Sequence, residues 1–202
     1  MSRNRKVLKE ILSWFMAFFI PLVIVFFLNM EVFAISGIDQ SSMHNTLFEG
    51  EMVYYNRVNY NINTIKRGDI ILFLANGKIK DGFFSEVAIK AEDFADKFKK
   101  KGVRANERYI KRVIGLPGDI IDIRDKEVYV NGVKEIQTYV VGATPTFDGQ
   151  YPITVPEGRL FVMGDNREVS KDSRSIGCID VRSVEGKASM VLWPLDRMGK
   201  PN

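Results

Sequence analysis

One cysteine and one histidine in 202 residues remove most of the chemistry that small domains draw from those side chains. With Cys178 alone, the chain closes no internal disulfide and offers no cysteine cluster to zinc. The stretch Ser-Ile-Gly-Cys-Ile-Asp reads Cys178 as a small apolar residue rather than a reactive thiol. With His44 alone, a hydrolytic serine has two choices of base: the imidazole beside it in sequence, or an amine. No His, Asp and Glu cluster has metal-ligand spacing and no glycine loop resembles a phosphate cradle, so no metal, nucleotide or other cofactor is expected. An excess of one charge is lacking as well. Lys and Arg number 29 against 25 Asp and Glu, and a net charge of +4 spread along the chain does not mark a nucleic-acid binder.

One long apolar run is present. Arg3, Arg5, Lys6 and Lys9 precede Ile11 to Leu28, and the run continues to Met30 before Glu31 interrupts it. A helix of about 20 residues rises roughly 30 Å, the thickness of a bilayer core. A secretory signal peptide also begins basic and then apolar. Its hydrophobic region is shorter, however, and no small-x-small cleavage site follows this run. The reading is therefore a cytoplasmic basic segment (1–10), an uncleaved transmembrane anchor (11–30), and one extracytoplasmic domain (31–202). Pro21 is compatible with a membrane helix.

Beyond the anchor, short apolar runs alternate with Gly, Asn, Asp and Pro, which predicts a mainly β domain. Strands are expected at Val32 to Ile38, Met52 to Asn56, Asp69 to Leu74, Arg108 to Ile114, Ile120 to Arg124, Glu127 to Val130, Ile153 to Val155, Arg159 to Met163 and Lys187 to Trp193. Asp125-Lys126 makes a hairpin of the Ile120 to Val130 stretch. The expected architecture is coiled antiparallel sheets, or a partly closed barrel, with a short helical insertion at about 79–107. Within the insertion, Ser85 to Lys101 reads as an amphipathic helix, with Phe94 and Phe98 four apart and Gly102 as its stop. Its lysines Lys97, Lys99, Lys100 and Lys101 read as a solvated face with favourable C-terminal charge, in preference to a lipid contact.

Two segments carry candidate chemistry. Ser42 sits in Gln40-Ser41-Ser42-Met43-His44-Asn45-Thr46-Leu47, and Lys111 sits in Tyr109-Ile110-Lys111-Arg112-Val113-Ile114-Gly115-Leu116-Pro117-Gly118-Asp119. A serine hydroxyl needs a base to take its proton, and a lysine serves only when neutral. Its ordinary pKa of about 10.4 must then fall by burial. If Lys111 points inward, Tyr109 and Val113 share its face, while Ile110 and Arg112 turn the other way. An exposed lysine of an edge strand is the competing reading, and composition alone favours it. His44, two residues from Ser42, is poorly spaced for an aligned triad and reads as a surface or local-packing residue.

At these residues the chain resembles the type I signal peptidases, membrane serine proteases that remove signal peptides from exported proteins. Four blocks resemble the family in order: Ser42-Met43-x-x-Thr46-Leu47; Arg67-Gly68-Asp69-Ile70-Ile71-Leu72-Phe73; Tyr109 through Asp119; and Gly164-Asp165-Asn166-Arg167-x-x-Ser170-x-Asp172-Ser173-Arg174-x-x-Gly177. Gly186-Lys187-Ala188 and Trp193-Pro194-Leu195 are similar to its closing strand, and the single anchor resembles the Gram-positive form. The resemblance implies Ser42 as nucleophile, Lys111 as general base and Ser170 as a hydroxyl that orients the lysine. It implies Asp172 and Arg174 as a supporting pair, with Asp165 and Arg167 structural. It also implies an oxyanion site at the Ser42 amide, with Gln40 as a further donor, and substrate contacts at Met43, Tyr109 and Ile110. Substrate would lie as a strand between Val32 to Ser42 and Arg108 to Lys111.

Two positions depart from the family. Asn45 stands where proline is usual, which predicts a less rigid turn, and Gln40 stands where serine or glycine is frequent. The insertion is also longer than the usual connection. The implied partners are signal-peptide-bearing pre-proteins and the lipid bilayer, together with secretion or surface-assembly machinery. The implied location is a single-pass cell-membrane protein with its catalytic domain outside. The alternative is a weakly active or non-catalytic relative that assists surface-protein assembly, for example of pilins. A soluble self-cleaving regulator conflicts with the anchor and with the lack of a DNA-reading helix pair.

Overall fold

Turn residues at regular intervals let the strands after residue 32 fold back on one another, and in the computed structural model every pair of named strands is antiparallel. The structure describes residues 3–31, 33–57, 63–75, 77–96, 98, 106–135, 138–147 and 149–201, with the side chains of all of these but 3–6, 8, 23–31, 33, 34 and 83. Helix α1 (Arg3–Glu31) is followed by β1 (Phe33–Gly37), a 3₁₀ turn at Ser41–Met43, β2 (Met52–Asn56) and β3 (Ile70–Leu74). Helix α2 (Phe83–Asp96) then precedes β4 (Arg108–Gly115), β5 (Ile120–Arg124), β6 (Glu127–Val130), β7 (Val133–Lys134), β8 (Ile153–Thr154) and β9 (Arg159–Met163). Helix α3 (Ser173–Ile176), β10 (Ile179–Asp180) and β11 (Val184–Trp193) complete the order.

The strands form a seven-stranded sheet, ordered β1-β2-β11-β3-β4-β9-β10, and a four-stranded sheet, ordered β7-β6-β5-β8. Strands β1 and β10 occupy opposite edges, so among the described residues no barrel closes. The partly closed barrel is thus corrected to two open sheets. Alternation locates strands, but closure depends on whether the outermost strands meet, and no local pattern encodes that. Asp125 and Lys126 both take positive φ (53° and 62°), the conformation that a two-residue hairpin turn requires.

Three apolar clusters hold the sheets, and β4 joins them. Ile110 packs on the first, which contains Met43, Leu47, Val53 and Leu72; Tyr109 and Val113 belong to the second, with Phe73, Leu160 and Val162. Ile114 belongs to the third, with Ile121, Val155 and Phe161, where Cys178 also packs. Gly115 ends β4 where the second sheet closes on it. A Cβ there would come within 2.7 Å of Ile121 Cδ1, so only glycine allows the approach.

Helix α2 starts two residues before the expected Ser85, and the remainder of the expected helix, residue 97 and residues 99–101, lies outside the described residues. Helix α1 covers the expected anchor and contains Pro21. Among the described residues no helix is long and apolar enough to cross a membrane; the side chains of 23–30, within that anchor, are not among them.

Candidate active site

Lys111 lies mid-way along β4 and is 1% exposed, which excludes the surface lysine favoured by composition. Its Nζ donates to Ser42 Oγ at 2.8 Å and to the Ile110 carbonyl at 2.9 Å, and it stands 5.2 Å from the centre of the Tyr109 ring. Burial pushes its pKa down to about 8, although the charges of Asp172 and Asp165 act in the opposite direction. Ser42 is 7% exposed and sits in the 3₁₀ turn that follows β1. The pair therefore supplies a hydroxyl and a readily neutralised amine in direct contact. That combination suits general-base activation of a nucleophile.

Two clamps fix the Ser42 turn. Asn166 donates from its backbone to Ser42 O (3.1 Å) and from its side chain to Ser41 O (3.3 Å). Arg112, next to Lys111, makes a two-pronged contact with Asp165 (2.8 and 2.7 Å) and donates to Thr46 Oγ1 at 3.1 Å, while Thr46 donates its hydroxyl to Asp165. Arg112 also donates to Gly68 O, and its guanidinium stacks 3.9 Å over the Tyr139 ring. Strand β4, the Ser42 turn and the segment after β9 are thus locked by one buried ion pair. The sequence reading assigned nothing to Arg112, Thr46 or Asn166. An arginine beside the lysine in the interior of a β-strand was the available signal that a buried carboxylate must face it.

Asp172 and Arg174 pair through two 2.8 Å bonds, with both side chains wholly buried. Asp172 also accepts from the Gly164 amide at 3.0 Å and caps α3 by accepting from the Arg174 amide. Gly164 is where the last block reaches Ser42. A Cβ on it would collide with Ser170 Oγ and stand 2.5 Å from Ser42 O, so the absence of a side chain permits the contact. Arg167, fully buried, pairs with Glu135 at 3.1 Å and donates to Gly164 O, so Asp165 and Arg167 have different partners.

Several expectations change. Ser170 Oγ is buried beside Gly164 but among the described residues has no hydrogen-bond partner, so the expected bond to Lys111 is not formed; Ser42 Oγ and Ile110 O take the amine instead. Met43, expected to touch substrate, is 1% exposed and packs in the first core cluster. Tyr109 is buried edge-to-face on Phe73, while Ile110 is half-buried. Gln40 is exposed and extended (φ −134°, ψ 146°), with no capping bond from its side chain. His44 packs against the Phe48 ring, as its spacing implied. Asn45 has φ 84°, in the left-handed region that proline cannot enter, and its amide donates to Tyr139 O. The less rigid turn expected at Asn45 is replaced by a turn of different geometry, held by that bond.

The hydrogen-bonding alternation leaves one edge of β4 open. Val113 donates to Asp69 O and accepts from the Gly68 amide, so Lys111 and Tyr109 also direct their backbone groups towards β3, while Ile110 and Arg108 direct theirs away from it. Strand β9 pairs with β4 only from Arg112 onward. Among the described residues no strand covers the edge at Ile110 and Arg108.

Residues 11–193 match a family described as signal peptidase, peptidase S26. Signal peptidase IB of Staphylococcus aureus (strain COL) is 32% identical over 203 residues, covering 92% of this chain and 91% of its own. Signal peptidase I of Bacillus licheniformis is 32% identical over 210 residues, covering 98% and 96%. A crystal structure of a signal peptidase I from Enterococcus faecalis V583 aligns at 30% identity with a TM-score of 0.41, over 61% of this chain and 96% of that one.

Proposed function

The chain belongs to the signal peptidase family, peptidase S26, and we propose on that footing that it cleaves signal peptides from exported pre-proteins with Ser42 as nucleophile and Lys111 as general base. The observation that carries the mechanism is the 2.8 Å contact between a buried amine and a serine hydroxyl. With its pKa near 8, Lys111 is partly neutral at physiological pH. The neutral amine takes the Ser42 proton as Oγ attacks the scissile carbonyl, and the ammonium then protonates the departing amine. Water next attacks the acyl-enzyme and gives a proton to Lys111, and Ser42 recovers its own as it leaves. The Ser42 amide, in the 3₁₀ turn beside the pair, is the donor this reading gives to the oxyanion. Ser170, Asp172 and Arg174 support the pair by holding Gly164 against Ser42.

Substrate adds as a strand along the open edge of β4, where the Ile110 amide fixes register and apolar neighbours read small side chains. The apolar run from Ile11 to Leu28 anchors the chain in the membrane, with Arg3, Arg5, Lys6 and Lys9 on the cytoplasmic side and 31–202 outside. A non-catalytic assembly role draws no support from Asn45, whose conformation suits asparagine. The test is precursor cleavage by Ser42→Ala and Lys111→Ala in the full-length chain, with circular dichroism as the check on folding. Loss of cleavage in both folded variants is expected. Cleavage retained in either would falsify the dyad.

A further inference from the structure

Helix α2 faces the wrong way for a helix of a globular domain. Phe84, Val87, Ala91 and Phe94 fall within about 80° of the circumference at 3.6 residues per turn, an apolar stripe of the kind that normally packs inward. Yet all four are exposed, Phe84 at 86% and Phe94 at 60%, and Phe98, edge-on to the Phe94 ring, is exposed at 79%. The domain instead holds α2 by its polar side. Asp93 accepts two bonds from Arg108 (3.1 and 2.6 Å) and one from Asn106, and Glu86 pairs with Lys80 at 3.6 Å. Of the described residues of α2, Ile89 alone is buried. Such an inversion leaves a large apolar area in water unless something outside the chain covers it.

Register shows where that area sits. Phe33, at the start of β1, pairs with Asn56, and Asn56 pairs with Lys187, near the start of β11. Val184, which begins β11, pairs with Phe73, and Leu74, which ends β3, pairs with Arg108. These residues form one end of the seven-stranded sheet. It is the end at which α1 enters β1, and also the end to which Arg108 ties α2. Charge identifies the covering surface. Lys90 falls at the margin of the stripe, one turn before Phe94; Glu92, Asp93 and Asp96 lie on the other side of the helix, and in sequence after Asp96 come Lys97, Lys99, Lys100, Lys101 and Arg104 with no further acidic residue before Glu107.

We propose that α2 is an interfacial helix whose Phe84, Val87 and Phe94 stripe enters an anionic bilayer surface beside the point where α1 joins the domain. An apolar stripe with a lysine at its margin and a basic sequence after it is the composition such helices share. The proposal rests on α1 being the anchor. Because Arg108 lies on the same strand as Lys111, three residues away, seating α2 also sets the height of the dyad above the membrane.

The test uses the full-length Cys178→Ser chain reconstituted in vesicles and carrying a polarity-sensitive fluorophore at Phe94→Cys or, as control, at Glu157→Cys, an exposed turn residue. Precursor cleavage by each labelled chain checks that it is folded. In phosphatidylglycerol vesicles the label at 94 should shift to the blue and be quenched severalfold by brominated acyl chains, with a smaller effect in phosphatidylcholine; the label at 157 should do neither. Phe84→Glu/Phe94→Glu should lower cleavage of a vesicle-embedded precursor severalfold and leave cleavage of a short soluble peptide unchanged. A label at 94 as wet as that at 157 in anionic vesicles, on a chain that resists alkaline carbonate extraction, overturns the interfacial helix and leaves the anchor standing. A label that dries only in native membranes overturns it in favour of a protein partner. Release of the chain by carbonate overturns the anchor itself.

Discussion

At Lys111 a single burial decides the chemistry. Its pKa falls from 10.5 to about 8, so the fraction of neutral amine increases as pH rises through 8, and kcat/KM should climb through an apparent pKa near that value in a pH–rate profile. Stability carries the same signature. Between about 8 and 10.5 the folded lysine binds fewer protons than the unfolded one, so folding stability rises with pH across that window. Below it, the cost of the buried charge is fully present. Lys111→Met should therefore be more stable than wild type at pH 7, by up to about 3 kcal/mol, with the gap closing towards pH 10.5 in urea unfolding. Asn45 gives a second prediction. Its φ of 84° is closed to proline, so restoring the family's usual residue with Asn45→Pro should cost at least about 1 kcal/mol in thermal unfolding and lower cleavage, whereas Asn45→Gly should cost a few tenths. Ser42 and Lys111 were legible in the sequence through their flanking motifs. The conformation of Asn45 was not, because a motif records which residue is usual and carries no dihedral angle.

Among the elements, β4 carries the most information. It touches all three clusters, presents Lys111 to Ser42 on one side and anchors the Ser42 turn with Arg112 on the other. Arg112→Met leaves Asp165, 0% exposed, without its cation, and should cost about 3–5 kcal/mol by chemical denaturation. Because Thr46 and the turn lose their tether, cleavage by the folded fraction should fall as well. The longer strands and the hairpin were readable from alternation and turn residues. Strands β7 and β10 and helix α3 were not, since two to four residues carry no period and form only where a neighbour or a cap, such as Asp172 at α3, supplies the hydrogen bonds.

At the scale of the whole molecule, Arg108 connects the insertion to the seven-stranded sheet, since it bonds both Asp93 of α2 and Glu185 of β11. Arg108→Met should cost about 1–2 kcal/mol, the arginine being a quarter exposed, and should speed amide exchange across α2 while leaving β9 protected. Nine of the strands, their order in the chain and the candidate serine and lysine were read from composition, alternation and ordered motifs, which are local properties. By itself the sequence determined a mainly β domain behind an apolar run, with one serine and one lysine set apart. Whether Lys111 was buried, whether the sheets closed, which carboxylate faced Arg112 and which face of α2 met solvent were decided only by tertiary structure. Each depends on groups tens of residues apart, whose mutual distance sets desolvation and pairing energies that no local pattern contains.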